Sequence, residues 1–285
     1  MSIVVTGATG ALGSLVIDEL LAKIPAEQVV AVVRDKAKAA GIAARGVEIR
    51  VADYNKPETL AGAFHAGDVL LLISGSEAGQ RIAQHIAVVN AAKDAGVARI
   101  AYTGVLGGPA ADFTLAAEHK ATEEAVLGSG LTYTFLRNGW YTENYTAQIP
   151  VHLEHGVVGS AGTGKIGSAT RQDFAAAAAA VLVGEGHENA AYELSGDEAW
   201  TLTEYAAELS KQSGKEVAYA DVPPETLKGI LLAAGLPEPF AEIIVDVDVS
   251  GISRGLLAGG SGDLSRLIGR PTTPLADTIS VALKG

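Results

Sequence analysis

The chain has 285 residues, no cysteine, and 33 Asp and Glu against 21 Lys and Arg, a formal net charge of −12. The missing cysteine excludes disulfides, thiol catalysis and cysteine-ligated zinc or iron–sulfur centres, and it fits a cytoplasmic protein. The acidic balance argues against a nucleic-acid or anionic-membrane surface, since both need basic stripes. No run reaches the roughly 18 uncharged apolar residues of a membrane helix. The Ala-rich stretch from Phe174 to Gly184 is the longest and falls well short, and no targeting segment is evident at the N-terminus.

Short, nearly continuous apolar runs predict strands at Ile3–Thr6, Val29–Arg34, Val47–Val51, Val69–Ser74, Arg99–Thr103 and Leu131–Leu136. Runs of this kind mark strands buried on both faces of a parallel sheet. Helical stretches alternate with them at Gly13–Lys23, Lys36–Arg45, Pro57–His65, Gln80–Ala95 and Leu115–Gly128, the fourth with Ile82, Ile86, Val89 and Ala92 along one face. Five strand–helix units and a sixth strand predict an α/β fold, a Rossmann-like doubly wound parallel sheet. Beyond Arg137 the pattern predicts a helix to His155, a helix from near Arg171 and a strand at Tyr192–Ser195. Helices at Leu202–Gln212 and Pro224–Ala234 flank an extended Glu216–Ala220, and an irregular stretch follows from Pro237 to Gly262. The expected division is a cofactor-binding domain over residues 1–150 and a smaller C-terminal α/β lobe over 151–285, interleaved with the first and lying over the site.

The first strand runs into Gly7-Ala8-Thr9-Gly10-Ala11-Leu12-Gly13, and a helix follows. Glycines at this turn let backbone approach a pyrophosphate, and the helix N-terminus offers unpaired N–H groups and partial positive charge. At the first turn of a strand–helix series the triplet reads as a dinucleotide loop. The second strand ends at Arg34, 21 residues after Gly13, where NAD binders usually carry an acid for the ribose 2′-hydroxyl. A guanidinium there suits a 2′-phosphate, so the expected cofactor is NADPH (NADP+), with Asp35 as a neighbour that blunts the preference. Ser74 and Thr103 end the fourth and fifth predicted strands on the ligand-binding edge, and Asp53 follows the third, beside the place for adenine.

Four segments stand together in family order: Gly7–Gly13, Leu71-Leu-Ile-Ser-Gly-Ser-Glu77, Leu136-Arg-Asn-Gly-Trp-Tyr-Thr-Glu-Asn144 and Lys165-Ile-Gly-Ser-Ala-Thr-Arg171. With Ala199–Thr203 and Leu267–Thr273, they make the chain resemble the NmrA-like atypical short-chain dehydrogenases/reductases over nearly its whole length. Within that family it is most similar to the bacterial type-2 NAD(P)H:quinone oxidoreductases, with triphenylmethane reductases as relatives. The resemblance implies cofactor contacts at Gly7, Ala8, Thr9, Gly10, Ala11, Leu12, Arg34, Ser74, Gly75 and Ser76. It also implies them at Asn138, Gly139, Trp140, Tyr141, Glu143 and near Arg171.

The Tyr-x-x-x-Lys pair of standard short-chain reductases is missing. A pair using Lys120 would need Tyr at 116, which is Ala116, and Tyr102 is followed four residues later by Leu106. Ketone reduction leaves a strongly basic alkoxide that needs an acid, whereas a quinone leaves a phenolate with basicity near that of Tyr, about pKa 10. A site without the Tyr acid therefore suits electron-poor acceptors. His119 and Glu123 lie one turn apart on the helix, and His119 reads equally as a proton donor, a substrate hydrogen-bonder or a packed helix-face residue. Trp140, Tyr141 and Tyr145 are three of 15 aromatic residues (2 Trp, 8 Tyr, 5 Phe) and read as pocket walls or as core. Asn138 and Asn144 have the chemistry to fix a carboxamide or a quinone oxygen. His152 and His155 read as surface residues, and no histidine set suggests a metal.

The expected activity is hydride transfer from NADPH to a quinone or similar small-molecule acceptor, with His119, Asn138 and Tyr141 as candidate catalytic residues and a homodimer compatible with it. The alternatives are a non-catalytic NADP(H)-binding redox sensor and a carbonyl, imine or dye reductase on the same scaffold.

Overall fold

The structure is a computed structural model and describes residues 1–75, 77 and 79–284. In chain order its elements are β1 (Ile3–Thr6), α1 (Ala11–Leu21), β2 (Val29–Val33), α2 (Ala40–Ala43), β3 (Glu48–Val51), β4 (Val69–Leu72), α3 (Arg81–Ala95), β5 (Arg99–Val105), α4 (Thr114–Ser129) and β6 (Tyr133–Asn138). They continue with α5 (Glu143–Thr146), α6 (Ile149–His155), β7 (Val157–Gly159), α7 (Arg171–Val183), β8 (Ala190–Leu194), α8 (Leu202–Ser213), β9 (Tyr219–Asp221), α9 (Pro224–Ala233), α10 (Glu238–Asp246), α11 (Asp263–Ile268) and α12 (Leu275–Ala282).

Seven strands form one sheet in the order β3-β2-β1-β4-β5-β6-β8, with parallel pairing from β3 through β5. Strand order reverses between β1 and β4, the switch point at which doubly wound sheets bind ligands. The apolar runs of the sequence are continuous because both faces of these strands are covered. Val4, Val30, Val32, Leu70, Leu72, Ile100 and Tyr102 pack with Val88, Val89 and Ala92 of α3 and Val126 of α4 in one core cluster. The residues between them along each strand, such as Val5, Ala31 and Leu71, point the other way by the two-residue period and are also fully buried. α1 packs along α7, where Ala175, Ala177, Ala178 and Ala179 are buried and their small side chains allow close approach.

The chain divides into two compact units, each assembled from three segments. Unit 1 holds Met1–Val105, Glu118–Arg137 and Arg171–Tyr192; unit 2 holds Leu106–Ala117, Asn138–Thr170 and Glu193–Gly285. Residues 106–117 and 138–150, expected in the first domain, fall in the second unit, and 171–192, expected in the second, fall in the first. Unit 2 contains the short parallel ribbon β7–β9 and α8, which opens with a capping box between Thr201 and Glu204.

Several local expectations are corrected. The face of α3 is rotated: Arg81, Gln84, His85, Val88, Val89 and Ala92 are buried, whereas Ile82 and Ile86 are exposed. Arg81, Gln84 and His85 can be buried because each is hydrogen-bonded, as described below. The 36–45 stretch is helical at 37–43, a 3₁₀ turn at Ala37–Ala39 running into α2, whereas 57–65 forms a 3₁₀ helix, Pro57–Gly62. The region from Pro237 is helical: Pro237 caps α10 and Pro239 sits in its first turn, where a missing N–H costs nothing. The helix then widens into a π-turn at Val247–Ile252. His152 is half-buried, with Nδ1 bonded to the Tyr205 hydroxyl at 2.9 Å, and burial lowers its pKa to about 4. Among the described residues no helix is long and apolar enough to cross a membrane.

Candidate cofactor site

Within unit 1, the turn Gly7–Gly13 joins β1 to α1. Gly7 has φ +60°, and its carbonyl accepts the Gly10 N–H at 2.9 Å. A Cβ at Gly13 would lie 2.2 Å from the Gly7 oxygen and 2.8 Å from Ala8 Cα, so helix and turn meet only because residue 13 has no side chain. Gly10 is the N-cap of α1 and supplies no side-chain cap, and the first turn carries no acid. The N–H groups of Ala11, Leu12 and Gly13 precede the first helical bond, Ser14 N–H to Gly10 O, and meet no capping side chain. Open N–H groups at a helix start suit an anion such as a phosphate.

The same edge of the sheet carries Arg34 after β2, Asp53 after β3 and Ser74 after β4. Arg34 is exposed and pairs through Nη1 with Glu77 Oε1 at 2.6 Å. The two amides Gln84 and Asn55 donate to the other carboxylate oxygen, at 2.8 and 3.3 Å. These bonds, with Arg34, hold the Glu77 pKa below its ordinary value. Asp53 spends Oδ1 on the N–H of Asn55 in its own turn, at 3.0 Å.

Thr103 lies inside β5, not at its end as expected. Its buried hydroxyl accepts the Ser74 N–H at 2.9 Å. Gly75 is gripped at both backbone groups by α3: its N–H donates to His85 Nε2 at 3.0 Å, and its carbonyl accepts from Arg81 Nε at 2.8 Å. Arg81 also pairs with Glu118 of α4. The tautomer of His85 follows from its partners. A backbone N–H only donates, so Nε2 carries the lone pair and Nδ1 carries the proton. Nδ1–H then donates to Thr122 Oγ1 at 2.9 Å, whose hydroxyl donates to the Glu118 carbonyl at 3.0 Å. Burial lowers the His85 pKa to about 3, with the Arg81 charge adding to it.

Tyr102 is fully buried in β5 and hydrogen-bonded to His119 Nδ1 of α4 at 2.7 Å. Burial lowers the His119 pKa to about 3 and raises that of Tyr102. Of the alternatives for His119, this placement favours the packed helix-face residue over the proton donor. Glu123, its neighbour one turn on, is held by Arg137 through Nε at 2.9 Å and Nη2 at 2.8 Å. Ala116 is buried, and Arg171 opens α7.

Within unit 2, Asn138 ends β6. Its carbonyl accepts the Leu106 N–H, and its side-chain amide reaches the Tyr141 hydroxyl at 3.4 Å. Gly139 donates to the Leu194 carbonyl at 2.6 Å, and a Cβ there would stand 3.0 Å from that oxygen. Trp140 O accepts from Ala169 N–H, and Glu143 begins α5. Tyr145 belongs to the core: its ring packs edge-on to Trp200 at 5.1 Å and tilted against Tyr205 at 5.9 Å.

Comparison with known proteins bears on this geometry. A family model described as NAD(P)H-binding matches residues 7–184, which begin at the glycine turn. The chain belongs to this NAD(P)H-binding family. It is 52% identical over 279 residues to quinone oxidoreductase 2 of Escherichia coli (strain K12), covering 98% of this chain and 97% of that one. Among solved structures, it resembles the NADPH-dependent quinone oxidoreductase of Escherichia coli complexed with NADPH, with TM-score 0.96, 51% identity and 99% of each chain covered. It also resembles the Citrobacter sp. triphenylmethane reductase complexed with NADP(H), with TM-score 0.94, 46% identity, and 99% and 100% covered.

The glycine turn and Arg34 are legible in the sequence as candidate cofactor contacts. Glu77, Asn55, Gln84, Arg81 and His85 were missed as site-shaping residues. A signal existed: Arg81, Gln84 and His85 fall at i, i+3 and i+4, one face of a helix directly after the fourth strand. Ser76, expected to touch the cofactor, lies outside the described residues.

Proposed function

We propose that the protein is an NADPH-dependent reductase that passes hydride to quinones or similar electron-poor small molecules. One observation carries the reading. The phenol and imidazole of β5 and α4, Tyr102 and His119, are buried and bonded to each other, while the dinucleotide cradle beside the switch point is fully formed. These features suit a chain that holds a cofactor but, with Ala116 where the Tyr of Tyr-x-x-x-Lys would stand and Tyr102 and His119 engaged with each other, lacks the usual acid for ketone reduction.

When bound, NADPH supplies the hydride from its nicotinamide. The N–H groups at the start of α1 hold the pyrophosphate, with Gly7, Ala8, Thr9, Gly10, Ala11 and Leu12 forming the turn. Arg34 takes the 2′-phosphate and Asp53 borders the adenine. Ser74 and Gly75 give a rigid backbone edge, positioned by Thr103, His85 and Arg81. Asn138 and Tyr141 orient the acceptor or the carboxamide. Gly139, Trp140, Glu143 and Arg171 complete the contacts on the strength of the family resemblance. A reduced quinone leaves a phenolate of about pKa 10, which takes its proton from water at neutral pH. Positioning supplies most of the catalysis. The same reading puts the protein in the cytoplasm as a homodimer.

The test follows NADPH oxidation by its near-ultraviolet absorbance, with benzoquinone, a simple ketone and a triphenylmethane dye as separate acceptors. Turnover is expected with the quinone and not with the ketone. Arg34→Ala should lower kcat/KM for NADPH by about 10- to 100-fold, the worth of a charged hydrogen-bonded contact, and that for NADH by less than about threefold. Turnover with the dye alone would make the protein a dye reductase. Tight NADP(H) binding with no turnover on any acceptor would replace the reductase by a redox sensor. Sedimentation measures the dimer.

A further inference from the structure

We infer that Glu77 sets how strongly this protein prefers NADPH to NADH. The inference rests on the reading of Arg34 as the 2′-phosphate contact.

Three observations lead to it. First, the carboxylate sits directly on the arginine, Oε1 to Nη1 at 2.6 Å, although 43 residues separate them. Second, Glu77 is not a passing surface charge. Gln84, itself buried, and Asn55 donate to its second oxygen, and Gln84 also donates to Asn55 Oδ1 at 3.1 Å. Amides orient a carboxylate without neutralising it, so the negative charge stays beside Arg34. Third, Glu77 takes only Nη1, one corner of a guanidinium that carries five N–H donors. The remaining donors can bind a phosphate without displacing Glu77.

Arginine and glutamate therefore form a composite reader of the ribose 2′ position. The guanidinium attracts a 2′-phosphate, and the fixed carboxylate opposes its charge. The same carboxylate supplies the acceptor that NAD-binding sheets usually take from the end of the second strand. Here that residue is Arg34, and the acid arrives from the loop after β4. The carboxylate tempers the preference for the phosphorylated cofactor.

The test measures binding by calorimetry with two probes that lack nicotinamide, 2′-phosphoadenosine 5′-phosphate and adenosine 5′-phosphate. Glu77→Gln keeps the size and hydrogen-bonding reach of the side chain and removes its charge. It should tighten the 2′-phosphorylated probe by about three- to tenfold, the effect of one charge a few ångströms away near solvent. Binding of adenosine 5′-phosphate should change less than about twofold, and the gain should shrink as salt is raised. An unchanged ratio between the probes overturns the inference. So does weaker binding of the 2′-phosphorylated probe, which would make Glu77 an aid to Arg34. Arg34→Ala is measured alongside. If it abolishes the preference for the phosphorylated probe while Glu77→Gln changes nothing, only the inference fails. If it leaves that preference intact, the Arg34 reading fails and the inference falls with it.

Discussion

Two polar constellations in unit 1 are built on opposite plans. The interior one, around His85, Thr122, Tyr102 and His119, is buried and holds both of its histidines neutral. The outer one, around Arg34, Glu77, Asn55 and Gln84, places full charges where solvent reaches them. Buried hydrogen bonds have nearly fixed partners and large penalties for losing one, so they suit the task of holding the Ser74–Gly75 backbone. Exposed charges cost little to arrange and are weakened by salt, so they suit graded discrimination between ligands that differ by a phosphate. Shape is kept where water is absent, and charge is displayed where water is present.

The largest effect expected from this contrast comes from breaking the interior set. His85→Leu leaves the Gly75 N–H and Thr122 without their partner. It should cost about 1–3 kcal/mol of stability and lower kcat/KM about tenfold, seen by denaturant unfolding and steady-state assay. His85→Gln, which can still accept from Gly75, should recover part of both. Equal losses in the two variants would show that the imidazole ring packing, not its acceptor, does the work.

Acid is a second probe of the interior set. Both His85 and His119 have folded-state pKa values near 3, below the ordinary 6.5. Between these limits the unfolded chain binds protons that the folded chain refuses, so stability falls as pH drops through 6.5 toward 3. From pH 7 to pH 5 the loss should be about 2 kcal/mol for each histidine, measured by denaturant unfolding at each pH. His119→Asn, less stable at pH 7, should lose less on acidification. A wild-type stability that stays flat over this range would mean that these rings are not neutral by burial.

The smallest effect belongs to the outer set. Glu77→Gln should alter stability by less than about 0.5 kcal/mol, because an exposed ion pair contributes little. A larger loss would mean that the loop after β4 depends on this carboxylate for its fold, which would blur the contrast.

The two plans also differed in how far the sequence disclosed them. β1, β2, β4 and β5 announce themselves as unbroken apolar runs, and Gly7–Gly13 is legible because steric exclusion at Gly13 leaves only one residue type. Arg34 is legible because its place after the second strand is a position of known consequence. The face of α3 was misjudged because apolar periodicity gives no credit to a buried Arg81 or His85, whose burial depends on partners as far away as Thr122. Glu77 carries no local signal of a role, because Arg34, its partner, lies 43 residues away in the chain. The helical run from Pro237 was hidden because prolines at a helix start resemble prolines in a loop.

The hydrogen bonds from Gly75 through His85 and Thr122 to Glu118 all point one way, because a backbone N–H stands at one end and a carbonyl at the other. Moving a proton along such a row would require every member to turn over, and the two backbone ends cannot turn. The row behaves as an electrical insulator. It fastens the loop to two helices yet conducts nothing between them, so no proton reaches the Ser74–Gly75 edge by this route.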